Sequence, residues 1–357
     1  MPACPTSLET LSPQWLTKAL RANGCLTDAR VTAVAVQKIG AEAGFLDVVV
    51  RVTPTYDQAC DRAPASLVVK ISSSEATYRR IGNFYNAYER EFRFYETVAP
   101  GSTIRLARCF GRDSDAETGA HVLILEDLAS LAAGDQVKGL TPQQARDTVE
   151  TIGRFHAQWW DSPRLATLDW MPRRNLSAAR FQAAWPKFRE RIAAQWSPPA
   201  IALGDRLTAR LETLLEQIEQ PPHTIVHSDF RADNLLFDPS SRSDPVVVLD
   251  WQLAIRGRGI MDAARLLCGS MSPSDRAVCE TDVLRCWHET LLRGGVREYS
   301  WERARDDYRD ATLLCLYYPV TIHEAEEAAG PRGAALAHEQ IERFFAAAAR
   351  WNDSAGR

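Results

Sequence analysis

The spacing of hydrophobic and polar residues changes part-way along the chain. In the first third, short runs rich in β-branched residues alternate with turn-forming segments, which is typical of strands in a mixed sheet. The strands predicted in this way cover residues 31–38, 46–52, 67–71, 104–110 and 121–125. Between the third and fourth strands, aromatic residues recur at helical spacing over residues 83–98, which predicts one main helix.

After Leu128 the chain follows long helical patterns, so we predict a domain boundary there. Residues 1–128 form the predicted N-terminal domain and residues 129–357 the predicted C-terminal domain. Helices are expected near residues 141–160, 176–195, 199–218, 262–268, 274–293, 301–317 and 333–351. Thr141 and Gln144 form a predicted capping box at the start of the first of these helices. The fold class is therefore α+β, with an N-terminal antiparallel sheet and a larger, mainly helical C-terminal domain.

Composition excludes several classes of protein. The 357 residues carry 42 Lys and Arg against 46 Asp and Glu, and a net charge of −4 has the wrong sign for holding a nucleic acid backbone. No apolar run approaches the roughly 18 residues that a membrane helix needs, and residues 1–5 lack the features of a signal peptide. The eight cysteines are scattered without metal-ligand spacing, as expected of thiols in a reducing compartment. We therefore expect a cytoplasmic protein that binds neither nucleic acid nor a membrane.

One segment carries the pattern of a phosphoryl-transfer site. His227, Asp229 and Asn234 have the spacing H-x-D-x-x-x-x-N, and the apolar run Val246–Leu249 then leads to Asp250. This order is typical of the catalytic loop and the metal-binding aspartate of kinases. Turn residues between two strands would also place Asp and Asn here. The apolar strand ending 21 residues after Asp229 favours the catalytic interpretation, because a returning hairpin requires such a strand.

Each polar residue of this segment has a predicted role. Phosphoryl transfer needs a carboxylate that orients and deprotonates the acceptor hydroxyl, and Asp229 is the predicted base. Oxygen ligands must hold Mg²⁺ against the nucleotide phosphates, and we predict that Asn234 and Asp250 supply them. Arg231 is predicted to neutralise charge on the transferred phosphoryl group. His227 is expected to hold the loop by packing and hydrogen bonding.

A kinase site of this kind also needs a nucleotide-binding region upstream. Lys70 lies at the end of a β-branched strand, the position of the lysine that contacts the α- and β-phosphates in kinases. Its predicted partner is Glu91, because Phe94 follows at helical spacing and indicates a buried face. Glu89 and Glu96 are the alternatives, and the other interpretation of Lys70 and Glu91 is that both are ordinary surface charges.

Two further segments are candidates for backbone contacts with the nucleotide. Gly40 and Gly44 bound a turn between two strands, where backbone N–H groups would cover phosphates. An ordinary hairpin turn explains these glycines equally well. Glu126 and Leu128 are the first and last residues of the predicted hinge, whose backbone groups would hydrogen-bond an adenine ring.

Taken together, these residues resemble the aminoglycoside phosphotransferase and choline kinase superfamily, and within it the ecdysteroid-kinase-like small-molecule kinases. The resemblance extends from Val34 to Leu267 and rests on the segments His227–Asn234, Leu249–Gln252, Glu91–Tyr95 and Phe155–Trp160. It implies a bilobal protein-kinase-like fold, ATP with Mg²⁺ as cofactors, GTP as a second possible donor, and phosphorylation of a hydroxyl group on a small molecule.

The resemblance assigns the same roles to the loop and strand residues as the spacing does. The residues concerned are Lys70, Glu91, Asp229, Asn234 and Asp250. It also implies that Asp262, shortly after Gly259, braces the catalytic loop. Ser228 stands where protein kinases have arginine, and Trp251 follows Asp250 in place of phenylalanine. A protein kinase is therefore not expected.

Aromatic and acidic residues of the C-terminal domain bear on the acceptor. Nine of the ten tryptophans follow residue 129, and core packing explains most of them. Other aromatic residues lie in segments where acceptor recognition varies, namely Trp185, Trp196, Trp287 and the pair Tyr317-Tyr318. Carboxylates for a cationic acceptor are available at Asp306, Asp307, Asp310, Glu324, Glu326 and Glu327. Interleaved arginines favour a salt-bridged surface there, so we expect a neutral or hydrophobic acceptor that is antibiotic-like, sterol-like, acyl-like or another hydroxylated metabolite. A catalytically silent nucleotide-binding or scaffold protein is the alternative, and the oligomeric state is left open.

Overall fold

The computed structural model describes residues 4–39, 47–73, 75–115, 117–193 and 196–352. The chain divides into two compact units. The N-terminal unit comprises Met1–Gly101 with Leu106–Leu131, and the C-terminal unit comprises Ser102–Arg105 with Ala132–Arg357. The first contains an antiparallel sheet with helices and the second is mostly helical, so the predicted α+β class is confirmed.

The N-terminal unit is built on a five-stranded sheet. Its helices and strands are α1 (Pro13–Ala22), β1 (Val31–Lys38), β2 (Asp47–Tyr56), β3 (Leu67–Ser72), α2 (Ala76–Phe84), α3 (Ala87–Arg93), β4 (Cys109–Asp115) and β5 (Ala120–Glu126). The strands lie in the order β1-β2-β3-β5-β4, and each neighbouring pair is antiparallel. Trp15 and Leu20 of α1 pack with Val50, Val69 and Ile124 of the sheet, which gives this unit a core of its own.

Two predictions for the N-terminal unit are wrong in detail. The helix expected over 83–98 begins only at Ala87, because the chain leaves the helical conformation at Asn86, whose φ is +50°; residues 83–84 end helix α2, and residues 94–98 continue α3 as a π-helical segment. The strand expected over 104–110 begins only at Cys109. It is an edge strand, so it carries polar residues such as Arg112 and Ser114 on its exposed side instead of a continuous apolar run.

The C-terminal unit contains long helices and two small sheets. The helices are α4 (Pro142–Trp159), α5 (Ala178–Ile192), α6 (Pro198–Ile218), α7 (Ile260–Ser270), α8 (Pro273–Arg293), α9 (Trp301–Leu314), α10 (Tyr317–Ala328) and α11 (Pro331–Asn352). The short strands are β6 (Ala132–Ala133), β7 (Thr224–Val226), β8 (Leu235–Phe237), β9 (Val246–Val248) and β10 (Ile255–Gly257). Strands β6, β8 and β9 form one antiparallel sheet, and β7 pairs with β10.

Local signals mark most ends of these helices correctly. The predicted capping box is present, because Thr141 Oγ1 accepts a hydrogen bond from Gln144 N and Gln144 Oε1 accepts one from Thr141 N. The helix expected over 301–317 stops at Leu314, and a separate helix, α10, follows it. Within the described part of the chain, no helix combines the length and the apolar composition needed to cross a bilayer.

Candidate active site

A buried ion pair links the central strand of the N-terminal sheet to helix α3. Lys70 Nζ lies 2.7 Å from Glu91 Oε2, and the two side chains are 10% and 5% exposed. Asp47, which begins β2 beside the end of β3, places its Oδ2 atom 3.6 Å from the same ammonium group. The structure therefore brings together the lysine and glutamate singled out from the sequence, and adds a carboxylate that the sequence pattern did not indicate.

The alternative glutamates of this helical segment face elsewhere. Glu89 accepts a hydrogen bond from Arg93 at 2.7 Å on the surface of α3. Glu96 pairs with Arg112 of β4, where both side chains are exposed. Since Glu91 is buried and these two are not, the helix has only one described glutamate that points toward Lys70.

The predicted hinge follows strand β5 directly. Glu126 is the last residue of the strand, and its backbone N–H and side-chain Oε2 both contact Arg108. Asp127 accepts hydrogen bonds from Arg51 Nε at 2.7 Å and from Ala129 N at 3.1 Å, while the side chain of Leu128 is buried. These contacts hold the side chains of the hinge. Gly40 and Gly44, the other candidate contacts with the nucleotide, lie outside the described residues.

In the C-terminal unit, the segment after β7 is held by Asp262 of α7. Asp262 Oδ2 accepts a hydrogen bond from His227 N at 2.7 Å, and Oδ1 accepts one from Ser228 N at 2.9 Å. His156 Nε2 lies 3.2 Å from Asp262 Oδ2, and its Nδ1 accepts a hydrogen bond from Trp287 Nε1. The buried carboxylate is thus fully hydrogen-bonded, which is what stabilises such a group away from water. Asp262 contacts the loop as the resemblance implied.

His227 joins the two halves of the loop. Its Nε2 donates a hydrogen bond to Leu249 O at 2.7 Å, and its Nδ1 accepts one from Asp229 N at 3.3 Å. The ring also packs against Trp251, with ring centres 4.8 Å apart. His227 is therefore a structural residue that ties Asp229 to the strand leading to Asp250.

Asp229 is paired with two arginines. Its Oδ2 lies 3.3 Å from Arg231 Nε, and its Oδ1 lies 3.2 Å from Arg265 Nη2. Burial raises the pKa of Asp229, but the guanidinium groups of Arg231 and Arg265 outweigh burial and bring the pKa down to about 2. The carboxylate is consequently ionised at neutral pH and able to accept a hydrogen bond from a hydroxyl group.

Asn234 and Asp250 flank the two paired strands of one hairpin, because Asn234 directly precedes β8 and Asp250 lies two residues after the end of β9. Asn234 Nδ2 donates hydrogen bonds to Asp229 O at 2.9 Å and to Asp229 Oδ2 at 3.3 Å, so its amide oxygen points the other way. Leu249 N donates to Asn234 O, which places Asp250 one residue beyond this contact. Asp250 adopts a left-handed conformation with φ +66°, and Gln252 Nε2 donates to its Oδ2.

The donor atoms fit a magnesium site that relies on the nucleotide for further ligands. Among the described residues, no cluster of three or more His, Cys, Asp or Glu side chains is arranged to hold a metal ion. One carboxylate and one amide oxygen are what Mg²⁺ takes from a protein when substrate phosphates and water complete its octahedral shell.

Several residues around the loop were not predicted to lie there: Arg265 and Gln340 had no sequence signal, and Tyr318 and Glu326 were considered only for acceptor binding. Arg265, Tyr318, Gln340 and Glu326 come from α7, α10 and α11, which lie 36 to 111 residues after Asp229. Tyr318 donates a hydrogen bond to Ser228 O at 3.2 Å, and Gln340 donates one to Glu326 at 2.6 Å. Only Asp262, three residues before Arg265, could have pointed to this region.

Most of the residues considered for acceptor binding are buried or already form hydrogen bonds and ion pairs within the protein. Trp185 and Trp287 are buried; Trp185 donates its indole N–H to the exposed Asp205, and Trp287 donates its own to the buried His156. Of the six acidic residues considered on α9 and α10, four form ion pairs, namely Asp306 with Arg309, Asp307 with Arg258, Asp310 with Arg210 and Glu327 with Arg191, and Glu324 is exposed. Glu326 differs because it is buried, and burial raises its pKa despite the nearby Arg231.

Comparison with known proteins places this architecture among phosphotransferases. The model of the phosphotransferase enzyme family APH matches residues 41–306. No curated protein sequence matches the chain significantly. The solved structures that it resembles share its fold at low sequence identity.

Three of these solved structures are similar over nearly the whole chain. A candidate aminoglycoside phosphotransferase from Ralstonia eutropha is 17% identical, with a TM-score of 0.58 over 95% of this chain and 97% of that chain. The GDP and kanamycin complex of APH(2")-IIIa is 13% identical, with a TM-score of 0.54 over 93% and 98%. Choline kinase from Cryptosporidium parvum Iowa II is 12% identical, with a TM-score of 0.57 over 96% and 97%.

Proposed function

The chain belongs to the APH phosphotransferase enzyme family, and from this premise we propose that it transfers the γ-phosphoryl group of ATP or GTP to a hydroxyl group of a small molecule. The observation that carries the proposal is the loop in which Asp229, Asn234 and Asp250 are held by hydrogen bonds from the backbone and neighbouring side chains. These are the groups that phosphoryl transfer requires, and none of them is replaced by an inert residue.

The proposed reaction follows from the charges at the loop. The acceptor hydroxyl donates a hydrogen bond to Asp229, and its oxygen forms a bond to the γ-phosphorus as the bond from that phosphorus to the bridging β-oxygen breaks. The hydroxyl proton passes to Asp229 and then to solvent, and the nucleoside diphosphate leaves. The guanidinium group of Arg231, 3.3 Å from the Asp229 carboxylate, is proposed to stabilise negative charge on the transferred group.

The nucleotide is proposed to contact Lys70, which Glu91 holds in one orientation at 2.7 Å. A lysine in this environment supplies a fixed positive charge to the α- and β-phosphates. The hinge Glu126–Leu128 is proposed to meet the base through backbone groups. Asn234 and Asp250 are proposed to hold Mg²⁺, which neutralises phosphate charge when bound.

We propose a neutral hydroxylated acceptor of the kind found among sterol-like, macrolide-like or acyl molecules, and an ecdysteroid-kinase-like role in the cytoplasm. The support is that four of the six candidate carboxylates, those of Asp306, Asp307, Asp310 and Glu327, are paired with arginines, whereas a polycationic acceptor would need several unpaired carboxylates. Kanamycin and choline, the ligand and the substrate named for two similar structures, are both cations. They are therefore the comparison compounds against which a neutral acceptor is tested.

Nucleoside diphosphate release with Mg²⁺ and ATP or GTP tests the function. Pools of neutral hydroxylated compounds are compared with kanamycin and choline, and mass spectrometry identifies a product heavier by one phosphoryl group in any active pool. Asp229→Asn is the control, because it keeps the shape of the side chain and removes the charge that accepts the hydroxyl proton. We expect release that depends on a neutral compound and falls by about 1,000-fold in the variant, as for other reactions that lose a general base.

Three results would contradict all or part of the proposal. Equal activity of Asp229→Asn and the unaltered protein would remove Asp229 from the reaction. Binding of Mg²⁺ and nucleotide without transfer to any compound or to water would support the silent nucleotide-binding alternative. Activity with kanamycin or choline alone would keep the phosphotransferase and overturn the neutral acceptor.

A further inference from the structure

One buried arginine outside the loop touches the Asp229 carboxylate. Arg265 Nη2 lies 3.2 Å from Asp229 Oδ1, and the Arg265 side chain is 1% exposed. Taking a guanidinium group out of water is strongly unfavourable unless it is paired and hydrogen-bonded. The position of Arg265 therefore depends on its partners, and Asp229 is the one that carries a charge.

The remaining contacts fix the guanidinium plane. Arg265 Nη1 donates a hydrogen bond to Gln340 Oε1 at 3.3 Å, and Gln340 in turn donates to Glu326 at 2.6 Å. The ring of Tyr318 lies 3.9 Å from the guanidinium carbon and the ring of Phe344 lies 5.1 Å from it. Aromatic faces at these distances attract a guanidinium group and restrict its rotation.

Arg265 also extends the contact that Asp262 makes with the loop. The two residues are three positions apart on α7 and so lie on the same side of the helix. Asp262 accepts hydrogen bonds from the backbone of His227 and Ser228, and Arg265 reaches the side chain of Asp229. One helix therefore holds three consecutive residues of the loop.

We infer that Arg265 is a positioning residue for phosphoryl transfer, which holds the Asp229 carboxylate in the orientation that receives the acceptor hydroxyl. The inference rests on the proposed function. It assigns different tasks to the two arginines: Arg231, whose side chain is 19% exposed, is available to the transferred phosphoryl group, whereas the buried Arg265 acts only through Asp229.

The test compares Arg265→Met and Arg265→Lys with Arg276→Met. Arg276 is a matched control, because it is equally buried on α8 of the same unit and pairs with Glu280 instead of the loop. We expect Arg265→Met to lower kcat by about 100-fold, as a misplaced reacting group does, with KM for ATP changed less than about threefold. Arg265→Lys should recover part of kcat, and Arg276→Met should retain it even if its melting temperature falls.

Chemical rescue separates positioning from general stability. In Arg265→Ala, guanidinium chloride is added at a concentration that leaves the protein folded, so that the guanidinium ion enters the space of the lost side chain. Because the ion restores the charged partner that orients the Asp229 carboxylate, kcat should rise by about tenfold. Tetramethylammonium chloride is the salt control and should not raise it. A double-mutant cycle in the free energy of unfolding with Asp229→Asn and Arg265→Met provides a readout that needs no turnover, and the effects of the two substitutions should not be additive.

The outcomes distinguish the inference from the function on which it rests. Unchanged kcat in Arg265→Met, or an equal fall in Arg276→Met, overturns the positioning role while the phosphotransferase stands. Additive unfolding energies in the cycle overturn the contact itself. Absence of phosphoryl transfer to any compound or to water by the unaltered protein overturns the proposed function, and the inference with it.

Discussion

At the scale of single residues, the two arginines beside Asp229 determine what this carboxylate does. With its pKa held at about 2, Asp229 stays ionised at neutral pH and is a weak base toward a hydroxyl group. Its contribution to the proposed reaction is therefore orientation of the hydroxyl through a hydrogen bond, with the proton transferred only as the new phosphorus–oxygen bond forms.

Glu326 predicts a pH-dependent effect on stability. Burial raises the pKa of Glu326 above its ordinary value of 4.5, so at neutral pH the ionised carboxylate destabilises the folded state. This destabilisation disappears as the pH falls through the folded pKa toward 4.5. Glu326→Gln should therefore raise the melting temperature by about 1–2 °C at pH 7.5, with a gain that shrinks toward pH 5.

Thermal melts of the Glu326→Gln protein at several pH values check this prediction. Gln340 still has an oxygen to which it donates in this variant, so the hydrogen bond is kept. Glu324→Gln on the exposed side of the same helix is the control and should change the melting temperature little. A lower melting temperature of Glu326→Gln at pH 7.5 would show that attraction to Arg231 outweighs burial.

Because Lys70 and Glu91 form a buried ion pair, substitutions at these two residues should have non-additive effects on the free energy of unfolding. Lys70→Met leaves the buried Glu91 carboxylate without its ammonium partner, which should cost about 3 kcal/mol. Adding Glu91→Gln removes the charge that was left behind, so the double variant should be less unstable than the sum of the single variants by at least about 1 kcal/mol. Denaturation of the four proteins measures this coupling. Lys18→Met on the exposed side of α1 is the control, and additive effects at Lys70 and Glu91 would contradict the pairing.

At the scale of elements, local signals predicted helices better than they predicted interruptions. The capping box at Thr141 marks one helix start, and Ser272, which accepts a hydrogen bond from Asp275 N, marks the start of α8 together with Pro273; such signals are present in the sequence itself. The break at Asn86 has no comparable signal, because aromatic residues continue at helical spacing on both sides of it. Helix α1 was not predicted, although Ser12 caps it and Pro13 opens it.

Gly134, which directly follows strand β6, is predicted to be necessary for the conformation of the proposed catalytic loop. A Cβ atom at Gly134 would lie 2.2 Å from Ala232 O, so one of the two backbones has to move in Gly134→Ala. Because Ala232 lies between Arg231 and Asn234, we expect kcat to fall by about tenfold or more and stability to fall by about 1–3 kcal/mol. Gly101→Ala is the control, because nothing lies within 4 Å of the added atom there. Turnover and melting temperature are measured together, and an unaffected kcat in Gly134→Ala would contradict the prediction.

At the scale of the whole molecule, the candidate site was predictable where it follows from short spacing and not where it depends on packing. Asp229, Asn234 and Asp250 lie within 22 residues of one another, and the geometry of a hairpin brings them together. Arg265, Glu326 and Gln340 reach the loop only because α7, α10 and α11 pack beside it. A buried polar residue looks in the sequence like any other member of an amphipathic helix, so these partners required the structure.

Nucleotide should raise the melting temperature of the whole protein, and part of this rise should depend on Mg²⁺. A ligand that binds only the folded state stabilises it by about 2.7 kcal/mol at 100 times its dissociation constant, which for a chain of this size raises the melting temperature by about 2–4 °C. If Asn234 and Asp250 hold Mg²⁺, part of this shift should require the metal and disappear with EDTA. In the double variant Asn234→Ala with Asp250→Asn, the melting-temperature shift should be smaller, and it should be equal with Mg²⁺ and with EDTA. The reason is that the remaining binding comes from Lys70 and the hinge.

Thermal melts with ATP, with ATP and Mg²⁺, and with ATP and EDTA measure both effects. Thr321→Ala on helix α10, where the threonine hydroxyl donates a hydrogen bond to Tyr317 O, is the control that keeps the full metal-dependent shift. A metal-dependent shift of unchanged size in the double variant would assign the magnesium ligands to other residues.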